Sequence, residues 1–99
     1  MVRISWTLQS LDDIDNIAEF IAKDSVKYSK IQVNRFFDNV EILKKYPKYG
    51  RIVPEIGEEE IREIIQGNYR IIYRIITEKQ IDILTVHHSS RLLSNNPNL

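Results

Sequence analysis

The sequence predicts a two-layer α+β domain of order β-α-α-β-β-β, a helical hairpin packed on one face of a mostly antiparallel four-stranded sheet. Three observations predict it. Ile61 to Val86 holds three runs rich in β-branched and aromatic residues, divided by turn signals at Gly67-Asn68 and Glu78-Lys79-Gln80. Residues 10–46 carry two apolar stripes at helical spacing with almost no linker between them. Val2 to Trp6 alternates apolar Val2, Ile4 and Trp6 with Arg3 and Ser5, the pattern of a short strand with one buried face.

Taken in order, the opening strand is short and first in the chain, so an edge position suits it. Ser10-Leu11-Asp12-Asp13 then reads as a helix start, with Ser10 as cap and the aspartates suited to the helix dipole. Leu11, Ile14, Ile17, Ala18 and Ile21 form its stripe, and it should end near Lys23. Asp24-Ser25 starts a second helix, with Val33, Phe36, Phe37, Val40 and Leu43 on its apolar side. It should run to about Tyr46, stopping before Pro47. So short a connection favours an antiparallel αα-hairpin.

Pro47-Lys48-Tyr49-Gly50 reads as a turn and Arg51 to Glu60 as a loop. That loop is long for a compact domain, the length expected of a mobile or functional segment. In the middle strand of the meander, Ile71, Tyr73 and Ile75 share one face, and Arg70, Ile72, Arg74 and Ile76 share the other. The first face suits a core; the second is half buried and basic. The opening strand can pair in parallel with a later one across the long hairpin crossover. Residues 1–99 read as a single domain, with 94–99 as a flexible polar tail.

Ninety-nine residues suffice for one core; a chain this short buries roughly two-thirds of its unfolded surface. Fourteen basic residues balance fourteen acidic ones, which argues against gripping nucleic acid through bulk charge. No cysteine is present, which excludes a disulfide framework and thiolate metal sites. With no signal-peptide core and no membrane-length apolar run, the reading is a cytoplasmic protein. No glycine loop suits a phosphate, and no cofactor is expected. His87 and His88, adjacent on a strand, point to opposite faces and do not chelate one metal ion together.

What remains for chemistry is Arg70 and Arg74 on the middle strand, His87 and His88 ending the last strand, and Arg91 just beyond. Arginine suits phosphate oxygens and histidine can move a proton near neutral pH, so the set suits a phosphodiester. Tyr49, Tyr69 and Tyr73 could stack on bases. Taken alone, the residues favour a plainer reading. Arg70 and Arg74 are then strand residues paired with acids such as Glu63, one histidine is a satisfied sheet residue, and the tyrosines, Tyr73 among them, are core residues with wet hydroxyls.

An ordered set of short motifs resembles the RelE/ParE superfamily of toxins, the toxin halves of type II toxin–antitoxin pairs, also described as plasmid stabilisation proteins. It comprises Trp6, the helix pair, Pro47-x-x-Gly50-Arg51, Val53-Pro54-Glu55, Arg62-Glu63, Tyr69 to Ile75, Ile81-x-Ile83-Leu84-x-Val86-x-His88 and Arg91. The resemblance spans nearly the whole chain and implies the fold reached above. It also implies a cognate antitoxin that wraps the toxin with an extended, helix-containing segment, hence a toxin–antitoxin hetero-oligomer. Arg51, Arg62, Arg70, Arg74 and Arg91 would face the target or the antitoxin.

RelE-like members cut mRNA in the ribosomal A site; ParE-like members poison DNA gyrase and are not nucleases. If the chain were RelE-like, Arg70, His87, His88 and Arg91 would be the catalytic set. Yet no tyrosine follows Tyr73, no lysine follows Lys79, and the chain is neutral where the nucleases are basic. The Gly-Arg-x-Val-Pro-Glu run and the Val-x-His-x-x-Arg ending resemble the ParE branch. The expectation is therefore a gyrase-binding toxin without catalysis. The alternatives are a ribosome-dependent mRNA interferase and an inactive member that keeps only antitoxin binding.

Overall fold

The computed structural model describes residues 1–90 and arranges them as β1 (Arg3–Trp6), α1 (Leu8–Ala22), α2 (Val26–Val40), a 3₁₀ turn (Glu41–Lys44), β2 (Arg51–Ile52), β3 (Ile61–Gln66), β4 (Tyr69–Thr77) and β5 (Gln80–His88). The sheet order is β1-β5-β4-β3-β2. β1 is the parallel edge, with Ile4 opposite Ile81 and Trp6 opposite Ile83; the other pairings are antiparallel. Arg91 and residues 94–99 lie outside the described residues.

The sheet has five strands where four were expected. The addition is the two-residue β2, which pairs Arg51 with Glu63 and Ile52 with Arg62. Two residues are too few to show a period, and Pro54 cannot extend the ladder because it has no N–H.

α1 begins at Leu8, two residues before Ser10. Thr7 is the cap: its Oγ1 accepts from Ser10 N at 3.2 Å and donates to the Ile83 carbonyl at 2.7 Å. Ser10 is buried inside the first turn and donates back to the Thr7 carbonyl at 2.7 Å. Asp13 is no capping-box residue either. Its carboxylate accepts from Val86 N at 3.1 Å and from the Thr85 hydroxyl, covering the β5 edge beyond the last pair with β1. A strand-edge N–H left unpaired in the protein would cost stability.

α2 starts where expected, with Ser25 Oγ accepting from Tyr28 N at 3.0 Å. The α-helix closes at Val40, and the 3₁₀ turn carries the path to Lys44, keeping Leu43 fully buried. Ser29 ties the hairpin together, donating to the Ala18 carbonyl at 2.7 Å.

The core lies between the helices and one sheet face: Ile14, Phe36, Val40 and Leu43 meet Ile64, Ile71, Tyr73, Ile81, Ile83 and Val86. Tyr73 sits in the core, but its hydroxyl is not wet. It donates to the Pro47 carbonyl at 2.8 Å and accepts from Gly50 N at 3.0 Å. That approach demands glycine, since a Cβ on residue 50 would lie 2.6 Å from the Glu63 carbonyl oxygen and 2.7 Å from the Tyr73 hydroxyl.

The opposite sheet face carries a second apolar cluster of Val53, Ile61 and Ile72, with Ile56 and Leu84 against it. The segment after β2 therefore folds back over the sheet. Its turn is closed by Ile56 N and Gly57 N, both donating to the Val53 carbonyl.

Candidate functional site

Period-two alternation puts Ile61, Glu63 and Ile65 of β3 on the side away from the helices, beside Arg70, Ile72 and Arg74 of β4. Arg70 is 7% exposed. Its Nε donates to Glu63 Oε1 at 2.5 Å, and its Nη1 and Nη2 donate to the two oxygens of Glu55 at 2.6 and 2.9 Å. Glu63 is buried, and its second oxygen accepts from Arg51 Nε at 2.6 Å. Two guanidinium groups and two carboxylates thus form one neutral network, which is what burial of charge requires.

The network shifts the groups it joins. Hydrogen bonds from Arg70 hold the Glu55 carboxyl down at about 2, against a smaller upward push from burial and with help from the Arg70 and Arg51 charges. Arg70 is raised above its ordinary value, chiefly by the hydrogen bonds to Glu55, then by Glu63. A guanidinium bound on three of its nitrogens is poorly placed to receive a phosphate.

The other candidates divide between places. Arg74, half-buried, lies on the Arg70 face, opposite Asp82 of β5. Arg62 pairs with Tyr73 in register, so it belongs to the helix side. It donates to the Gly50 carbonyl at 3.0 Å and to the Glu59 carbonyl at 2.9 Å, holding the turn before β2 rather than joining Arg70. Glu59, exposed nearby, is lowered by its hydrogen bond from Lys48, then by the charges of Lys48 and Arg62.

The histidines split across the sheet. His87 is buried opposite Arg70. His88 is exposed opposite Tyr69, edge-on to its ring at 5.6 Å, with Nδ1 2.7 Å from Ser90 Oγ. Tyr69 also meets Phe36 edge-on, and burial raises its hydroxyl, with a smaller contribution from Tyr28. Tyr49 is exposed, beside Tyr46 and Ile75 in an apolar hollow. A second groove, about 460 Å³, runs between Ile17 and Phe20 of α1 and Tyr69, Val86 and His88 of the sheet. Among the described residues, no group of three or more His, Asp or Glu could hold a metal ion, and no helix is long and apolar enough to cross a membrane.

Glu55 was missed as a site residue. It sits in a turn with no periodicity, and the one signal for it was its place in the Val53-Pro54-Glu55 run.

Residues 4–93 match the family described as "ParE toxin of type II toxin-antitoxin system, parDE". The chain belongs to the ParE toxin family. Over 90 residues it is 36% identical to a protein of Sinorhizobium fredii (strain NBRC 101917 / NGR234) named "Putative toxin Y4kP", covering 88% of each chain. Its fold resembles a chain of the chromosomal ParDE system of P. aeruginosa, with a TM-score of 0.73 at 19% identity over 89% of this chain and 96% of that one. It also resembles a chain of the RelBE2 toxin–antitoxin complex of Mycobacterium tuberculosis, with a TM-score of 0.54 at 20% identity over 88% and 96%. As a ParE-family toxin, the chain keeps the expected helical hairpin on a sheet, with the strands of the meander at its centre.

Proposed function

We propose that this toxin acts by binding DNA gyrase, without cutting nucleic acid, and that a cognate antitoxin neutralises it in the cytoplasm. The observation that carries the reading is the state of Arg70. Its Nε, Nη1 and Nη2 all donate to Glu63 or Glu55. A phosphate clamp needs an open guanidinium edge and a net positive setting. With Glu55 in place the neutral network offers neither, and Arg62 is engaged by backbone carbonyls on the other side of the sheet. The two histidines face opposite ways, so they do not converge on one scissile bond. Family membership supports the same branch.

An antitoxin partner is supported by the two systems the fold resembles, both of which pair a toxin with an antitoxin. The groove beside Phe20 and Tyr69 would suit an amphipathic segment with an apolar anchor. Where that segment passes the Arg51–Arg70–Arg74 face, it would be acidic.

The test is plasmid supercoiling by purified gyrase with the purified toxin added, then with the antitoxin. The toxin should block supercoiling and the antitoxin should restore it. Unchanged supercoiling at large toxin excess would rule the reading out.

A further inference from the structure

We propose that the Nη edge of Arg70 is a carboxylate-binding site, filled in the isolated chain by its own Glu55, and that an aspartate or glutamate of an acidic protein segment takes this place when Glu55 swings out.

The site is built from behind. Glu63, with its side chain fully buried, holds Arg70 by Nε alone, at 2.5 Å. The planar guanidinium is thereby oriented without help from Glu55. Its two Nη groups then face a single carboxylate in a parallel, bidentate pair, the arrangement that matches a carboxylate best. Glu55 is that carboxylate, and it differs from its partners in exposure: its side chain is 46% exposed, against 8% for Arg70 and 0% for Glu63. The inner pair is fixed and the outer member stands at the surface.

The turn that carries Glu55 keeps its own anchors. Val53 is fully buried, its N–H donates to the Ile61 carbonyl, and its carbonyl accepts from Ile56 N and Gly57 N. None of these contacts involves the Glu55 side chain, so it can rotate into solvent while the turn stays closed. What it leaves is unbalanced: Arg51 and Arg70 carry two positive charges and Glu63 one negative. The remaining group is net positive, with two N–H donors lacking a protein acceptor in a fixed fork, a setting that favours an anion. A carboxylate is the ligand the geometry favours, because a carboxylate already occupies it. An incoming one competes with a tethered rival whose effective concentration is high. The site therefore answers to a partner that brings other contacts, and free carboxylates bind it weakly in the wild type.

The experiment removes the rival. Glu55→Ala and wild type are titrated with acetate, inorganic phosphate and chloride at constant ionic strength, following the Arg70 side-chain resonances by NMR. Acetate should bind Glu55→Ala saturably, roughly tenfold or more tighter than wild type. The double variant with Arg70→Lys, which keeps the charge and loses the fork, should lose that response. An acidic peptide should show the same order of affinities. Equal acetate binding by wild type and variant would overturn the proposal, as would a response that survives Arg70→Lys. Phosphate binding well ahead of acetate would overturn the carboxylate assignment. Should Glu55→Ala fold poorly, Glu55→Gln leaves one oxygen for the fork and should show a smaller gain with the same selectivity; no gain there would also overturn it. The readout needs neither gyrase nor an antitoxin, so it stands apart from the target reading.

Discussion

Glu63 reaches Arg70 across the β3–β4 ladder at 2.5 Å from a side chain with no exposed surface. This one pair decides how the outer face of the sheet behaves. A buried carboxylate held by two guanidinium groups is a structural element, and removing it leaves the Nε of buried Arg70 without its acceptor. Glu63→Ala should therefore cost about 3–5 kcal/mol in denaturant unfolding. A loss below about 1 kcal/mol would mean that Arg70 and Arg51 find water or other partners without difficulty.

Acid should loosen the same network from its outer member. The Glu55 carboxyl is lowered from 4.5 to about 2, so the pair stabilises the fold above its unfolded value, and that contribution is lost as pH falls from about 4.5 through about 2. Because Glu55 stands half in solvent, the gain is only a part of what the shift alone would imply. Thermal melts of wild type and Glu55→Gln should converge as pH drops through this window. Parallel curves would show that Glu55 contributes nothing through its charge.

The Tyr73 hydroxyl and Gly50 make a second testable contact. Gly50→Ala drives a Cβ into the Glu63 carbonyl and the Tyr73 ring and should cost about 1–3 kcal/mol. Tyr73→Phe leaves Gly50 N and the Pro47 carbonyl without their partner and should cost about 1–3 kcal/mol. Burial already raises the Tyr73 hydroxyl, against a smaller lowering by the Gly50 hydrogen bond. With Tyr69 also raised, the tyrosine absorbance should thus include two groups that stay protonated to higher pH than a free tyrosine while the fold holds.

Thr7 should matter as a cap in its own right. Thr7→Ala removes the acceptor for Ser10 N and the tie to the Ile83 carbonyl and should cost about 1–2 kcal/mol. A neutral result in denaturant unfolding would contradict its role as the start of α1.

The hairpin and the meander were legible because each rests on a period many residues long; the edge strand rested on a short alternation at the start of the chain, and its parallel pairing on the long crossover. Tyr73 and Ile71 were placed on the core face by alternation alone. The start of α1 was misread because Thr7 and Ser10 are both good caps and Leu8, 82% exposed, breaks the stripe. The network was half legible: Glu63 was a foreseeable partner for Arg70, since neighbouring strands bring such residues together. Glu55 was not foreseeable as the other, because a turn's fold-back depends on the Val53–Ile72 contact, which no local pattern encodes. Arg62 does not share a face with Arg70 for a simpler reason: two even positions on adjacent strands face the same way only if the register says so, and here it pairs odd positions of β3 with even positions of β4 on the outer face.

Under the proposed function, Arg70 is held by the protein's own carboxylates and clamps no phosphodiester. Primer extension on mRNA under active translation, with the purified toxin added, tests it most directly. Full-length extension products and no new 3′ ends in the ribosomal A site are expected. A-site cuts made by the wild type and lost in Arg70→Lys would contradict it.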